Sequence, residues 1–280
     1  MTREKQTRTE LREEARAKAK ALREQHKKGE QRKKIAVQFG IGVGVLGVVA
    51  LIVFAMVSGA SKETVTPTNM NVNNGIKIGT NLEAFTADYT PAPGEAGANV
   101  PNIQLYIDYQ CPFCRDFEVP NTSQIESWVK KGVATIEIHP ISFLDGRGTP
   151  NEYSSRAANA AVCVAEYSPN SFFKFHSLLF ANQPEEGTAG PENSELFTRA
   201  KEAGITNADK IEACINDKRF GPWISDITTK ALNEKLPGTE YQLSGTPFVM
   251  VNNQLFQTES NADYYSPARF AQFLQSAAVN

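Results

Sequence analysis

The order of periodicities along the chain predicts an α/β fold with a helical insertion, preceded by one transmembrane helix. Strand-like alternation brackets a helix-like run between residues 103 and 140, and residues 152–236 repeat apolar positions at helical spacing. Strand character then returns at 246–257, before a closing helical stretch. Ahead of all these lies a long uncharged apolar segment, residues 35–57.

The N-terminal 34 residues hold 13 Lys/Arg and 6 Asp/Glu, a formal +7. Of the chain's 29 basic and 31 acidic residues, 16 and 25 therefore remain in residues 35–280, a formal −9. A near-neutral total conceals a basic leader and an acidic remainder. Residues 35–57, IAVQFGIGVGVLGVVALIVFAMV, carry no charge and a single Gln38. About 20 apolar residues cross a hydrocarbon core of roughly 30 Å. Lys33 and Lys34 abut this run, which predicts a cytoplasmic N-terminus, an uncleaved anchor and an exported remainder. The alternative is a cleaved signal peptide ending near Ser58-Gly59-Ala60, for which leader and core are both too long. Gly42, Gly44 and Gly47 match the dinucleotide pattern G-x-G-x-x-G. They sit inside the apolar span with no preceding strand, so no nucleotide site is expected. Gly40 and Gly44 would also permit close helix packing in a membrane.

Residues 58–74 are polar and unpatterned, as expected of a linker. The folded domain is expected over 75–280, beginning with a short edge strand at 75–79 and a turn-rich loop at 90–102. Residues 103–110, IQLYIDYQ, alternate as a strand. Residues 111–132 read as a helix with a kink expected near Pro120, and 133–140 as the next strand. Between about 150 and 236 come five helical stretches separated by Pro, Gly and Asn signals. In the last strand region Asn252-Asn253 is the expected hairpin turn, and Ser266-Pro267 opens the closing helix as N-cap and first residue.

Cys111 and Cys114 stand two residues apart at the start of the helix between two strands. The first amides of a helix lack intrahelical acceptors and its dipole is positive there, so a thiolate on Cys111 is favoured. Pro112 occupies the first turn, where no N–H is needed, and Cys114 lies one turn on, placed to close a disulfide. A zinc site needs four ligands. Cys163 and Cys214 stand alone, and His26, His139 and His176 lack ligand spacing, so no metal is expected. A purely structural Cys111–Cys114 staple would constrain little chain. The reactive dithiol is the reading carried forward.

Strand, DYQCPFC, helix, strand, helical insert and then GTP before a strand together resemble the DsbA-like branch of the thioredoxin superfamily. It is especially similar to membrane-anchored forms of Gram-positive and actinobacterial envelopes, and the likeness covers roughly residues 75–280. The resemblance implies a thioredoxin-like fold, Cys111 as exposed nucleophile, Cys114 as buried resolving cysteine, and Thr246-Pro247 as the cis-proline loop that faces the dithiol and pairs with substrate backbone. It implies no cofactor in the chain, reduced exported polypeptides as substrates, and a quinone-linked membrane partner that re-oxidises the dithiol. Many strong oxidants of the family carry histidine between the cysteines. Here the dipeptide is Pro112-Phe113, leaving mainly the helix terminus to hold the thiolate.

Cys163 and Cys214 fall in apolar settings of two helical stretches. Either they are buried free thiols or, in an oxidising compartment, a structural disulfide, which is the expectation here. Glu137, on the strand after the active helix, is a candidate proton relay for Cys114 or a solvated surface carboxylate; Asp108 reads as a strand-end hydrogen-bonding group. The acidic remainder argues against nucleic acid. A disulfide-forming enzyme is thus expected, with an envelope reductase or isomerase and a non-catalytic peptide-binding module as the alternatives.

Overall fold

A computed structural model describes residues 64–71, 73–85, 100–148 and 150–278. The basic tail, the apolar span of 35–57 and the first part of the expected linker lie outside the described residues. So does most of the loop at 90–102. Among the described residues no helix is long and apolar enough to cross a membrane.

Five strands form one sheet: β1 (Ile76–Ile78), β2 (Asn102–Ile107), β3 (Thr135–Pro140), β4 (Phe248–Val251) and β5 (Gln254–Leu255), in the order β1-β3-β2-β4-β5. β2 and β3 are parallel, with Ile103 opposite Ile136 and Ile107 opposite Pro140; the remaining pairings are antiparallel. The parallel pair requires a crossover, and helix α1 (Pro112–Lys130) supplies it. Pro120 lies inside α1, on its exposed side, where water can satisfy the carbonyl that proline leaves without a donor. Asn252 and Asn253 both adopt positive φ, 49° and 63°, and turn β4 into β5, as Asn tolerates left-handed conformations.

The insertion consists of α2 (Tyr153–Tyr167), α3 (Phe172–Ala181), α4 (Asn193–Glu202), α5 (Ala208–Asn216) and α6 (Gly221–Asn233). After β5 come the short α7 (Asn261–Tyr264) and the closing α8 (Pro267–Ala277). Ser266 precedes α8 as expected but makes no capping bond with its side chain, whereas Ser260 caps α7 by accepting from Asp263 N–H.

Alternation along β2 divides the core. Ile103, Leu105 and Ile107 pack with Phe117, Ile125 and Val129 of α1, while Tyr106 packs with Phe248, Met250 and Ala231 of α6 in a second cluster. The expected linker is shorter than the sequence suggests. Met70 is buried in the main core, Asn69 donates to the Ala165 carbonyl, and Thr68 bonds the Glu166 carboxylate, so this stretch belongs to the domain.

Candidate active site: a dithiol at a helix N-terminus

β2 ends at Ile107, and Asp108, Tyr109 and Gln110 carry the chain, fully buried, to Cys111 at the N-cap of α1. Cys111 N–H donates to the Asp108 carbonyl at 3.1 Å, which closes the turn between strand and helix. Its backbone is extended (φ −73°, ψ 118°), and its carbonyl accepts from Cys114 N–H at 3.1 Å and Arg115 N–H at 3.3 Å. Both Cys111 and Cys114 are free thiols. Cys111, expected to be exposed, is buried at 4% exposure under the cis-proline loop, and Cys114 is wholly buried, so Cys111 is the more accessible of the two. Phe113, between them, is 52% exposed.

The Thr246–Pro247 peptide is cis, and Cys111 Sγ donates to the Thr246 carbonyl at 3.3 Å. Tyr264 Oη donates to the Pro247 carbonyl at 3.2 Å and braces this loop from α7. The structure thus brings Cys111, Cys114, Thr246 and Pro247 together, with Pro112 at the first helical position.

The two sulfurs are electrostatically unlike. The hydrogen bond from the Cys114 side chain is the largest influence on Cys111. Burial opposes it, and the Thr246 side chain and the backbone N–H groups of Cys114 and Phe113 assist, bringing its pKa from 9.0 down to about 7. Sequence reasoning gave that task mainly to the helix amides; the neighbouring thiol contributes more. Burial pushes Cys114 well above the ordinary thiol range, reinforced by Cys111 and by the charge of Asp108.

Asp108 is a carboxylate that acts electrostatically on Cys114. Asp108 N–H donates to Cys114 Sγ at 3.5 Å. Its carboxylate accepts from Gln110 N–H (2.8 Å), Ser154 Oγ (2.7 Å) and Leu144 N–H (2.9 Å). Burial raises its pKa from 3.8 to about 6 despite these donors. Glu137 is not the solvated surface carboxylate considered for it. It is buried, 2.9 Å from His139 Nε2, and accepts from Asn102 Nδ2 at 3.0 Å. Burial would raise its pKa, but His139, Asn71 and Asn102 outweigh that and hold it at about 2. A side chain at Gly75 would collide with Glu137 and His139, so the incoming chain covers this pair closely.

The contacts of Glu118, His176 and Gln183 near the dithiol were not visible in the sequence. Glu118, one turn beyond Cys114 on α1, lies 3.3 Å from His176 Nε2 of α3, and His176 Nδ1 is 3.0 Å from Tyr109 Oη. Glu118, His176 and Tyr109 are all buried, and His176 lies among the rings of Phe172, Phe173 and Phe180. The spacing of Glu118 four residues from Cys114 was the available signal for an inward-facing carboxylate. Gln183 bonds the Cys111 carbonyl. Away from the site, Cys163 of α2 and Cys214 of α5 form a disulfide with Cα atoms 5.9 Å apart. Among the described residues no cluster could hold a metal ion.

A β-α-β frame with a paired thiol at its crossover helix and a cis-proline loop against it defines a thioredoxin-fold protein with a CxxC centre. A family model described as thioredoxin matches residues 86–268, and the chain belongs to that family. It is 28% identical over 182 residues to serine/threonine-protein kinase PknE of Mycobacterium tuberculosis, an alignment covering 64% of this chain and 28% of the kinase. The chain therefore spans little more than a quarter of that relative's length. It is 24% identical over 174 residues to Disulfide bond formation protein D of Bacillus subtilis, covering 62% of this chain and 72% of that protein. Oxidised DsbA of Mycobacterium tuberculosis superposes with a TM-score of 0.57 at 25% identity, over 74% of this chain and 93% of that one. The resemblance to DsbA-like thiol–disulfide oxidoreductases thus extends from motif to fold.

Proposed function

We propose that this chain is an envelope thiol–disulfide oxidoreductase that forms disulfides in exported proteins, held outside the cytoplasmic membrane by residues 35–57. One observation carries the catalytic part: Cys111, its pKa lowered to about 7, lies over the buried high-pKa Cys114 and beside the Thr246 carbonyl. In the oxidised form a substrate thiolate attacks Cys111 Sγ. The Cys111–Cys114 bond breaks, and its electron pair leaves on Cys114, which takes a proton because its thiol form is favoured. A second substrate thiolate then attacks the substrate sulfur of the mixed disulfide, and Cys111 departs as a stabilised thiolate. Two electrons now reside on the chain, and a membrane oxidant of the quinone-linked kind is proposed to remove them. Stabilising the departing thiolate favours the reduced form and so favours oxidation of substrate.

Asp108, coupled to Cys114, is the carboxyl group proposed to exchange the proton with its surroundings. The loop at Thr246–Pro247 is proposed to pair with extended substrate backbone, as in strand addition. The acidic −9 remainder supports an aqueous, non-nucleic-acid setting.

The test is a Cys114→Ala variant expressed in the native host, with thiols quenched in intact cells. The expected result is a ladder of Cys111-linked mixed disulfides with exported proteins, lost in Cys111→Ser. Absence of any adduct would leave a peptide-binding module instead. Adducts confined to cytoplasmic proteins would overturn the topology.

A further inference from the structure

We propose that Gln183, at the exit of helix α3, is a positioning residue for Cys111, fixing the main-chain conformation from which the nucleophilic sulfur faces the amides that open α1. This rests on the redox reading of the Cys111–Cys114 pair.

Gln183 Nε2 donates to the Cys111 carbonyl at 2.9 Å. That oxygen also accepts the first two bonds of the helix, from Cys114 and Arg115. Among the described residues three donors therefore converge on one acceptor, and Gln183 reaches it from the insertion. The contact matters because Cys111 lacks the usual restraint at its position: as N-cap it makes no side-chain capping bond, and Pro112 after it offers no N–H. Rotation about ψ of Cys111 would turn the carbonyl off the Cys114 amide and change how Sγ sits against the Phe113 and Cys114 N–H groups. A donor on the carbonyl opposes that rotation. It also draws charge from the oxygen nearest the thiolate within the same residue.

Gln183 is itself held. Its N–H donates to the Phe180 carbonyl at 3.3 Å, and Pro184 follows. The loop beyond is tied back by Gln110, whose Nε2 donates to the Thr188 carbonyl at 2.9 Å and lies 3.4 Å from that of Glu185. Gln110 immediately precedes Cys111, so the clasp is reciprocal: one amide reaches out to the loop, another reaches in to the nucleophile. Higher on the same two helices, His176 meets Glu118 and Tyr109. The insertion therefore grips the strand–helix junction along its length, and Gln183 is the point where it touches Cys111.

The test is a pH titration of the Cys111 thiolate, followed by its ultraviolet absorbance in the full chain with Cys114→Ser, which retains a hydroxyl donor. Gln183→Ala and Gln183→Glu are compared with Asn182→Ala, a neighbour whose side-chain amide bonds the Leu178 carbonyl of α3 at 3.0 Å. The bond is present in both protonation states, so only the part that differs between thiol and thiolate moves the midpoint: Gln183→Ala should raise it by roughly a few tenths of a unit, about a twofold smaller thiolate fraction at low pH. Gln183→Glu should shift it further, and Asn182→Ala should leave it in place. A lowered Tm in Gln183→Ala with the midpoint unmoved would assign a merely structural role and overturn the proposal. If the parent protein itself titrated as an ordinary thiol, the redox reading beneath would fail first, an outcome distinct from an unmoved midpoint in the variant.

Discussion

The four cysteines form two pairs that differ in almost every physical respect. Cys111 and Cys114 lie on one helix, across its first turn, and are free thiols with pKa values driven in opposite directions. Cys163 and Cys214 lie on different helices, are buried in apolar surroundings and are joined across 51 residues. Reactivity follows from the mounting. A sulfur at a helix N-terminus with a thiol donor beside it is stabilised as an anion, whereas sulfurs in mid-helix against alanine, valine and isoleucine are not. The first pair is built to change state, the second to hold α2 against α5.

That contrast is open to attack by mutation. The largest expected effect is on chemistry: Cys111→Ser should reduce oxidation of a dithiol peptide to background while leaving Tm nearly unchanged, since no packing is lost. Replacing both Cys163 and Cys214 by alanine should do the reverse. Unfolding free energy should fall by up to about 4 kcal/mol, from the entropy of a 51-residue loop, with turnover retained below the new Tm. Denaturant unfolding with and without reductant checks this. If the double variant lost exchange activity while folded, the second pair would not be merely structural.

Asp108→Asn is expected to come next. It puts an amide against one of three donors that now meet carboxylate oxygens, costing roughly 1–3 kcal/mol. Its pH signature is specific. Because burial raises the Asp108 pKa from 3.8 to about 6, the folded state holds more protons than the unfolded one between those values, and stability falls as pH rises through that window. The stability advantage of the parent over Asp108→Asn should therefore be greater at pH 4 than at pH 7, read from paired denaturant curves. Glu137 works in the opposite sense. Held at about 2, it adds stability above the ordinary carboxylate range that is lost as pH falls toward 2.

The smallest effect is expected at Phe113. An exposed residue there can tune Cys111 only through solvent-screened charge. Phe113→His should lower the Cys111 pKa by up to about one unit, and only below the histidine's own pKa near 6.5. An equal shift at pH 8 would mean that something other than charge is acting.

Much of this was legible because local rules agree with the fold. Alternation in residues 103–107, the Cys-Pro-Phe-Cys start of α1 and Asn252-Asn253 each carry their structural reason in a few adjacent residues. What was missed depends on distance. Glu137 looks like a solvated strand carboxylate until Gly75 and its neighbours are seen to cover it and His139 to pair with it. Asp108 looks like a strand end until Leu144 and Ser154 close around it. Residues 68–70 look like linker because their partners, Ala165 and Glu166, are nearly a hundred positions away. Besides the spacing of Glu118 from Cys114, polar residues in apolar surroundings, His176 among phenylalanines above all, were the signal of such long-range partners.

The account stands or falls on the unequal acidity of Cys111 and Cys114. The most direct measurement is the pH dependence of iodoacetamide alkylation of the reduced protein, with the modified residue identified by peptide mapping. Reaction should occur at Cys111 alone, with a midpoint near 7, while folded Cys114 stays unmodified. Alkylation that begins only near pH 9, or that modifies both cysteines at one rate, would contradict it.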